Sequence, residues 1–302
     1  MMSFPLSWMR PEAPYMPIAV AGLLSALEDA GRDATAVWRE GPDGIVLELG
    51  TDLAAEEIAD AVIEAPWPDL AEIDWATKLG QAIKPMLAGA DDPARELQRL
   101  RTAAAEAGLV AETRLLNCLV TEAALDDGGA PSRNRLLRGV KSDLSSVNEK
   151  VKLDRDKLAR ELTEGPQWVK GKSGRGLGLV PELQTFGGTT GREPSQVGSH
   201  SVLLYRLLWL GLLSLPPYGV VLRGRRVVGG PLVTDQSRIS WPVWTVELGL
   251  SELKTYFCLS VVHEDERDGA FLAGRGIARV YSAEAVPINS MVSVFRWGRR
   301  VA

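Results

Sequence analysis

Histidine and cysteine are scarce in this chain, with two of each in 302 residues. That scarcity leaves no Cys-x-x-Cys pair, no His-Glu-x-x-His helix and no His-Asp pair to ligate a cation. Cys118 and Cys258 cannot build a disulfide framework, so a reducing cytoplasm is the expected setting. Also missing is an uninterrupted apolar run of about 18 residues. The most apolar stretch, SVLLYRLLWLGLLSLPPYGVV, contains Arg206 and is stopped by Pro216 and Pro217, which predicts a buried helix and no membrane span. The first twenty residues lack the basic region, apolar core and small-residue cleavage site of a secretory signal.

The motifs that remain fall short of catalytic patterns. Residues 165 to 178 read GPQWVKGKSGRGLG, and Gly171-Lys172-Ser173 is how a phosphate-binding loop ends. In a Walker A loop, four residues separate the first glycine from that tripeptide, so that backbone amides wrap the phosphates. Here five do, and the motif follows a charged helix rather than a buried strand. Gly174, Gly176 and Gly178 alternate, with no helix opening after them. The stretch His263-Glu264-Asp265-Glu266 reads as a solvated turn. Gly198-Ser199-His200 lacks nucleophile-elbow spacing, and His200 is placed at the start of an apolar helix in a capping or surface role. No catalytic set, metal site or cofactor is therefore expected, and the chain reads as a binding or assembly protein, not an enzyme.

Charge is present but divided. Residues 1 to 130 carry nine Lys and Arg against 23 Asp and Glu, whereas residues 131 to 175 carry 12 against six. One end repels polyanions and another can hold them, although an acidic segment also serves solubility alone.

The pattern of elements predicts an α+β fold without a regular βαβ repeat. A buried helix over IAVAGLLSALEDAG stops at Gly31, and a hairpin follows around Gly41-Pro42-Asp43-Gly44. Helices are expected at 53–65, 74–89, 92–108 and 109–125, the third with Asp92 as N-cap and Pro93 at its first position. After the break at Asp126–Pro131, SSVNEKVKLDRDKLARELTEG predicts a charged helix with Val147, Val151, Leu158 and Leu162 on one stripe, and Gly165–Gly198 a long loop. The final third reads as an apolar helix at 201–215, strands, a short helix or helix-to-strand segment at LSELKTYFCLSVV, and two more strands. Three regions result: an acidic hairpin-plus-helices region at 1–130, a basic helix and Gly-rich loop at 131–200, and an apolar helix with antiparallel strands at 201–302.

Lysine and arginine recur beside glycine in the basic half. The clusters comprise Arg133, Arg135, Arg138 and Lys141; Lys170, Lys172 and Arg175; Arg223, Arg225 and Arg226; and, in FRWGRR, Arg296, Arg299 and Arg300. Glycine lets a backbone approach phosphate closely, and the cations displace counterions from a polyanion. The first three clusters are the candidate nucleic-acid contacts, with Trp168 as a candidate stacking residue. Trp241 and Trp244, flanking Pro242, fit an edge strand and read as packing residues.

The order of features resembles the large-subunit-type proteins of type I CRISPR effector complexes, above all the short divergent members of subtype I-G, formerly I-U. The resemblance rests on IAVAGLLSALED with its hairpin, then LLYRLLWLGLLSLPP, GGPLVTDQSRISWPVWTVEL, SELKTYF and GRGIARVYSAE. It implies a non-catalytic subunit of an RNA-guided surveillance complex, contacting crRNA and target DNA beside other effector subunits. Such a subunit helps read a flanking motif and guides the displaced strand, and a recruited helicase-nuclease cuts. The alternative is a scaffold whose basic segments dock an acidic protein surface without nucleic acid.

Overall fold

The fold is described from a computed structural model covering residues 3–41, 44–68, 93–125, 131–133, 153–167, 169–170, 199–215, 218–222, 225–229, 238–264, 266–289 and 292–302. Within them the chain is mixed α+β, with helices and small antiparallel sheets and no regular βαβ repeat.

Helix α1 (Met16–Asp29) opens at Pro17, where a missing N–H costs nothing. It closes at Gly31, whose φ of 69° is the left-handed conformation that ends helices. The hairpin follows as expected: β2 (Thr35–Gly41) pairs antiparallel with β3 (Gly44–Gly50), Gly41 opposite Gly44. The leader adds a strand, β1 (Ser3–Leu6), on the other edge of β3. Helix α2 (Ala55–Glu64), α3 (Pro93–Glu106) and α4 (Val110–Leu119) come next. The helix expected at 74–89 and the Asp92 cap lie outside the described residues.

Two helical expectations need correction. The segment 109–125 is not one helix, because α4 gives way to strand β4 (Val120–Leu125), which pairs with β5 (Pro131–Arg133). β-branched Val120 and Thr121 suit the strand, and the pairing overrides the helical period of the sequence. The charged helix expected from Ser145 is, in its described part, α5 (Arg155–Glu164), and it begins only after Asp154. The Asp154 carboxylate accepts from the Lys157 N–H at 3.0 Å, a side-chain N-cap that fixes the start. Leu158 and Leu162 are buried, as the stripe requires, while Val147 and Val151 lie outside the described residues.

Short strands β6 (Val169–Lys170) and β7 (Ser199–His200) pair with each other. His200 is therefore strand, not the start of a helix. The cap of the next helix, α6 (Val202–Ser214), is Ser201, whose hydroxyl accepts from the Leu204 N–H at 3.0 Å. Hairpin β8 (Tyr218–Leu222) and β9 (Arg225–Gly229) follows, then β10 (Arg238–Trp244), α7 (Leu250–Phe257), α8 (Ser260–His263) and α9 (Gly269–Ala273). The chain closes with β11 (Ile277–Asn289), β12 (Val292–Phe295) and β13 (Arg299–Arg300). β11 is central, with β10 on one edge and β12 and β13 pairing along its length.

Every residue of α6 is buried, and α1 is its principal neighbour. The two helices touch backbone to backbone at glycines. A Cβ on Gly22 would lie 2.0 Å from the Leu207 carbonyl oxygen, and one on Gly211 would lie 1.9 Å from that of Ile18. Around this pair one hydrophobic cluster runs from Leu6 to Ala283, drawing residues from all three regions of the sequence. Trp244 joins its halves: its indole N–H donates to the Ala36 carbonyl at 2.8 Å, and its ring meets Trp38 and Phe257 edge-on at centroid distances of 6.3 and 6.4 Å. Ala36 also bridges Leu248 through paired backbone hydrogen bonds.

Replacing Gly22 or Gly211 with Ala gains about 1 kcal/mol of helix propensity. It costs about 3 kcal/mol in overpacking against rigid backbone. Urea denaturation should therefore record a net loss of roughly 2 kcal/mol for either variant. A midpoint unchanged or raised would mean the helices separate without penalty.

Candidate nucleic-acid interface

Four of the cations expected to contact nucleic acid lie on described backbone: Arg133 in β5, Lys170 in β6, and Arg225 and Arg226 in β9. Arg135, Arg138, Lys141, Lys172, Arg175, Arg223 and Trp168 lie outside the described residues. The topology sets the hairpins that carry two of the clusters alongside each other. Strand β4, which pairs Val120 with Arg133, runs alongside both β8 and β9. In the neighbouring hairpin Arg225 and Arg226 stand opposite Leu222 and Val221. The hairpin of β6 and β7, with Lys170 opposite Ser199, is a separate two-stranded unit that leads directly into α6.

Gly165, the first glycine of the phosphate-loop-like stretch, has a structural assignment of its own. It ends α5 with φ of 98°, and its N–H donates to the Glu161 carbonyl at 3.0 Å. A Cβ there would fall 2.9 Å from Cβ of Trp8, whose indole N–H donates to the Leu162 carbonyl at 2.9 Å. Its freedom from a side chain serves a helix end resting on an aromatic ring.

Three buried ionisable groups, Arg206, Glu161 and His263, have structural partners that the sequence does not reveal. Arg206 in α6 reaches the open end of α2, donating to the carbonyls of Val62 and Ile63 at 3.2 Å and Ala65 at 2.8 Å. Its guanidinium lies 4.0 Å from the Trp67 ring centroid. Burial lowers its pKa to about 10, so it keeps its charge at neutral pH. It satisfies carbonyls that a helix C-terminus leaves without partners.

Glu161 in α5 accepts from the Ser201 hydroxyl and from the Leu203 N–H at 3.2 Å, which places a carboxylate on the N-terminus of α6. Burial raises its pKa above the ordinary 4.5, against the opposing pull of Ser201, Leu203 and Lys157.

His263 corrects an expectation, because it is buried in α8 rather than lying in a solvated turn. Its Nε2 is 2.7 Å from the Phe257 carbonyl. Burial, then the nearby Arg267 and Arg238, lowers its pKa despite that contact. Glu264 and Glu266 beside it are exposed. Among the described residues no group of His, Cys, Asp and Glu could hold a metal ion, and no helix is long and apolar enough to cross a membrane.

Arg296, Trp297, Arg299 and Arg300 are all exposed. Beside them lies Arg10, which no sequence pattern singles out because it stands alone at the opposite end of the chain. Trp241 and Trp244, by contrast, are fully buried on edge strand β10, as expected of packing residues. Compared with protein-family models and with curated proteins, the sequence matches none.

The raised pKa of Glu161 means that the folded chain holds that proton more tightly than the unfolded chain does. Its contribution to stability is full below pH 4.5 and is lost as pH rises through the raised folded value. Chemical denaturation at a series of pH values should show this decline in the native protein and its removal in Glu161→Gln. Identical pH dependence in the two would exclude Glu161 as its source.

Proposed function

We propose that this chain is a non-catalytic, nucleic-acid-binding subunit of an RNA-guided CRISPR surveillance complex of type I, acting in the cytoplasm. The observation that carries the reading is the adjacency of the two basic hairpins. Arg133 is separated from Arg225 and Arg226 by most of a hundred residues of sequence, yet β4, paired with the Arg133 strand, runs alongside the strands of the other hairpin. A two-stranded β-ribbon fits the major groove of a DNA duplex, about 12 Å wide, and arginines on it can neutralise the flanking phosphates. The glycines between β4 and β5, Gly128 and Gly129, and Gly224 between β8 and β9 suit close approach to that backbone.

The resemblance supplies the wider setting. Guide pairing with crRNA reads the target, this subunit contacts the duplex beside it, and the acidic N-terminal region faces neighbouring effector subunits. Cutting belongs to a recruited helicase-nuclease. The shared core agrees with such a role in one respect: both hairpins grow from elements that pack on the α1 and α6 pair, so they are carried on a common scaffold.

Fluorescence anisotropy with a labelled DNA duplex, read over a range of salt concentrations, tests the assignment. Changing Arg133, Arg225 and Arg226 together to Ala should weaken binding by about tenfold or more and reduce the salt slope by about 0.9 for each phosphate that is no longer neutralised. Unchanged affinity and slope would remove the hairpins from the interface. If neither native protein nor variant showed salt-dependent binding, docking of the basic segments to an acidic protein would be favoured.

A further inference from the structure

The stretch Arg296-Trp297-Gly298-Arg299-Arg300 is fastened to the protein from several sides. The Gly298 N–H donates to the Glu12 carbonyl at 2.7 Å. Gly298 also lies against the edge of the buried Trp241 ring, so close that a Cβ would sit 2.6 Å from it. The Trp241 indole N–H donates to the Pro11 carbonyl at 2.8 Å, and its ring stacks on Tyr281 with centroids 6.1 Å apart. Arg299 and Arg300 pair with Ser282 and Tyr281 of β11, and the Arg296 N–H donates to the Glu284 carbonyl at 3.1 Å. Pro11, Glu12 and Gly298 thus meet at one buried tryptophan, and β11 holds the arginines on either side of Gly298.

The same mounting presents a second tryptophan to solvent. Trp297 is 37% exposed, and the Arg10 guanidinium lies 5.9 Å from its ring centroid. Arg10, Arg296, Arg299 and Arg300 are all exposed, and among the described residues none of them forms an ion pair. Arg300 Nε donates to the Ala302 backbone carbonyl at 3.2 Å. Glu12 and Glu284 meet this stretch through their backbone carbonyls. A single exposed aromatic residue needs no explanation. An exposed indole with one guanidinium 5.9 Å from its ring and three more exposed arginines within three residues of it along the chain has the composition that single-stranded nucleic acid requires: a π-face for an unpaired base and cations for its phosphates.

We propose that this surface is a stacking platform for single-stranded nucleic acid, with a base resting on Trp297 beside Arg10 and the strand's phosphates running over Arg296, Arg299 and Arg300. A duplex keeps its base faces covered by neighbouring bases, so the indole discriminates in favour of unpaired strand. The surface is separate from the two basic hairpins, and its test is separable from theirs.

Anisotropy with a labelled oligothymidylate and with a labelled DNA duplex distinguishes the two. In the full chain, Trp297→Ala should weaken oligothymidylate binding by about 5- to 100-fold. Duplex affinity and the urea midpoint should not change, and Trp297→Phe should restore most of the loss. Changing Arg299 and Arg300 together to Ala should lower the single-strand salt slope by about 0.7 for each phosphate that is no longer neutralised. Native-like oligothymidylate binding by Trp297→Ala would overturn the proposal. So would competition by polyglutamate as strong as that by unlabelled oligothymidylate, which would mark the patch as a docking site for acidic protein. Loss of single-strand binding in Trp297→Ala, with duplex binding intact when Arg133, Arg225 and Arg226 are changed, would support the platform and overturn the hairpin reading alone.

Discussion

Helix α6 has no face left for water, and that constraint organises the rest of the chain. A helix that is apolar all round must be enclosed, and enclosure on every side demands α1 on one flank, α4 and α5 on others, and a sealed N-terminus. Its two polar obligations are met from outside. Glu161 and Ser201 take up N–H groups at its start, and Arg206 turns the one cation within it toward the carbonyls that α2 leaves open. Removal of a charge from water is tolerated only with such partners. The same contacts therefore enclose the helix and lock α2 and α5 to it.

The cations divide by location into two kinds. In and around the acidic N-terminal region three of them, though not Arg10, are joined to carboxylates: Arg114 to Asp29 at 2.6 Å, Arg39 to Glu48 at 2.9 Å, and Arg155 to Asp60 at 2.8 Å. These pairs are partly or wholly exposed, and each adds little to stability. They do neutralise charge locally, so the basic residues there have less left to offer a polyanion. At the C-terminal end, Arg296, Arg299 and Arg300 are exposed and form no ion pairs among the described residues. The separation of charge evident in the composition is thus sharpened by who pairs with whom.

Much of the fold was legible because its strongest signals are local. Pro17 and Gly31 bracket α1, Gly41 and Gly44 bracket the first hairpin, and the apolar run of α6 admits no other reading. What escaped was set by distant partners. Val120 leaves the helical pattern because β5 is there to pair with it, and Asp154 starts α5 later than the periodicity implies because its side chain caps the first turn. His263 looked solvated beside three acidic residues, yet the helix turns it inward to the Phe257 carbonyl. For the site, composition located the basic clusters but not their neighbours. Nothing in the sequence pairs Arg10 with Trp297, since the contact exists only because Trp241 holds both ends of the chain at one place.

The crossing of α1 and α6 has an evolutionary consequence. A side chain that collides with another side chain can be rescued by a smaller neighbour, so most packing positions drift together over time. Gly22 and Gly211 face the main-chain oxygens of Leu207 and Ile18, and a carbonyl cannot be made smaller by mutation. The two positions have no compensating partner and must stay glycine independently of everything around them. In distant descendants of this fold, after the arginines and tryptophans have been exchanged, those two glycines on two apolar helices are the mark by which kinship would still be read.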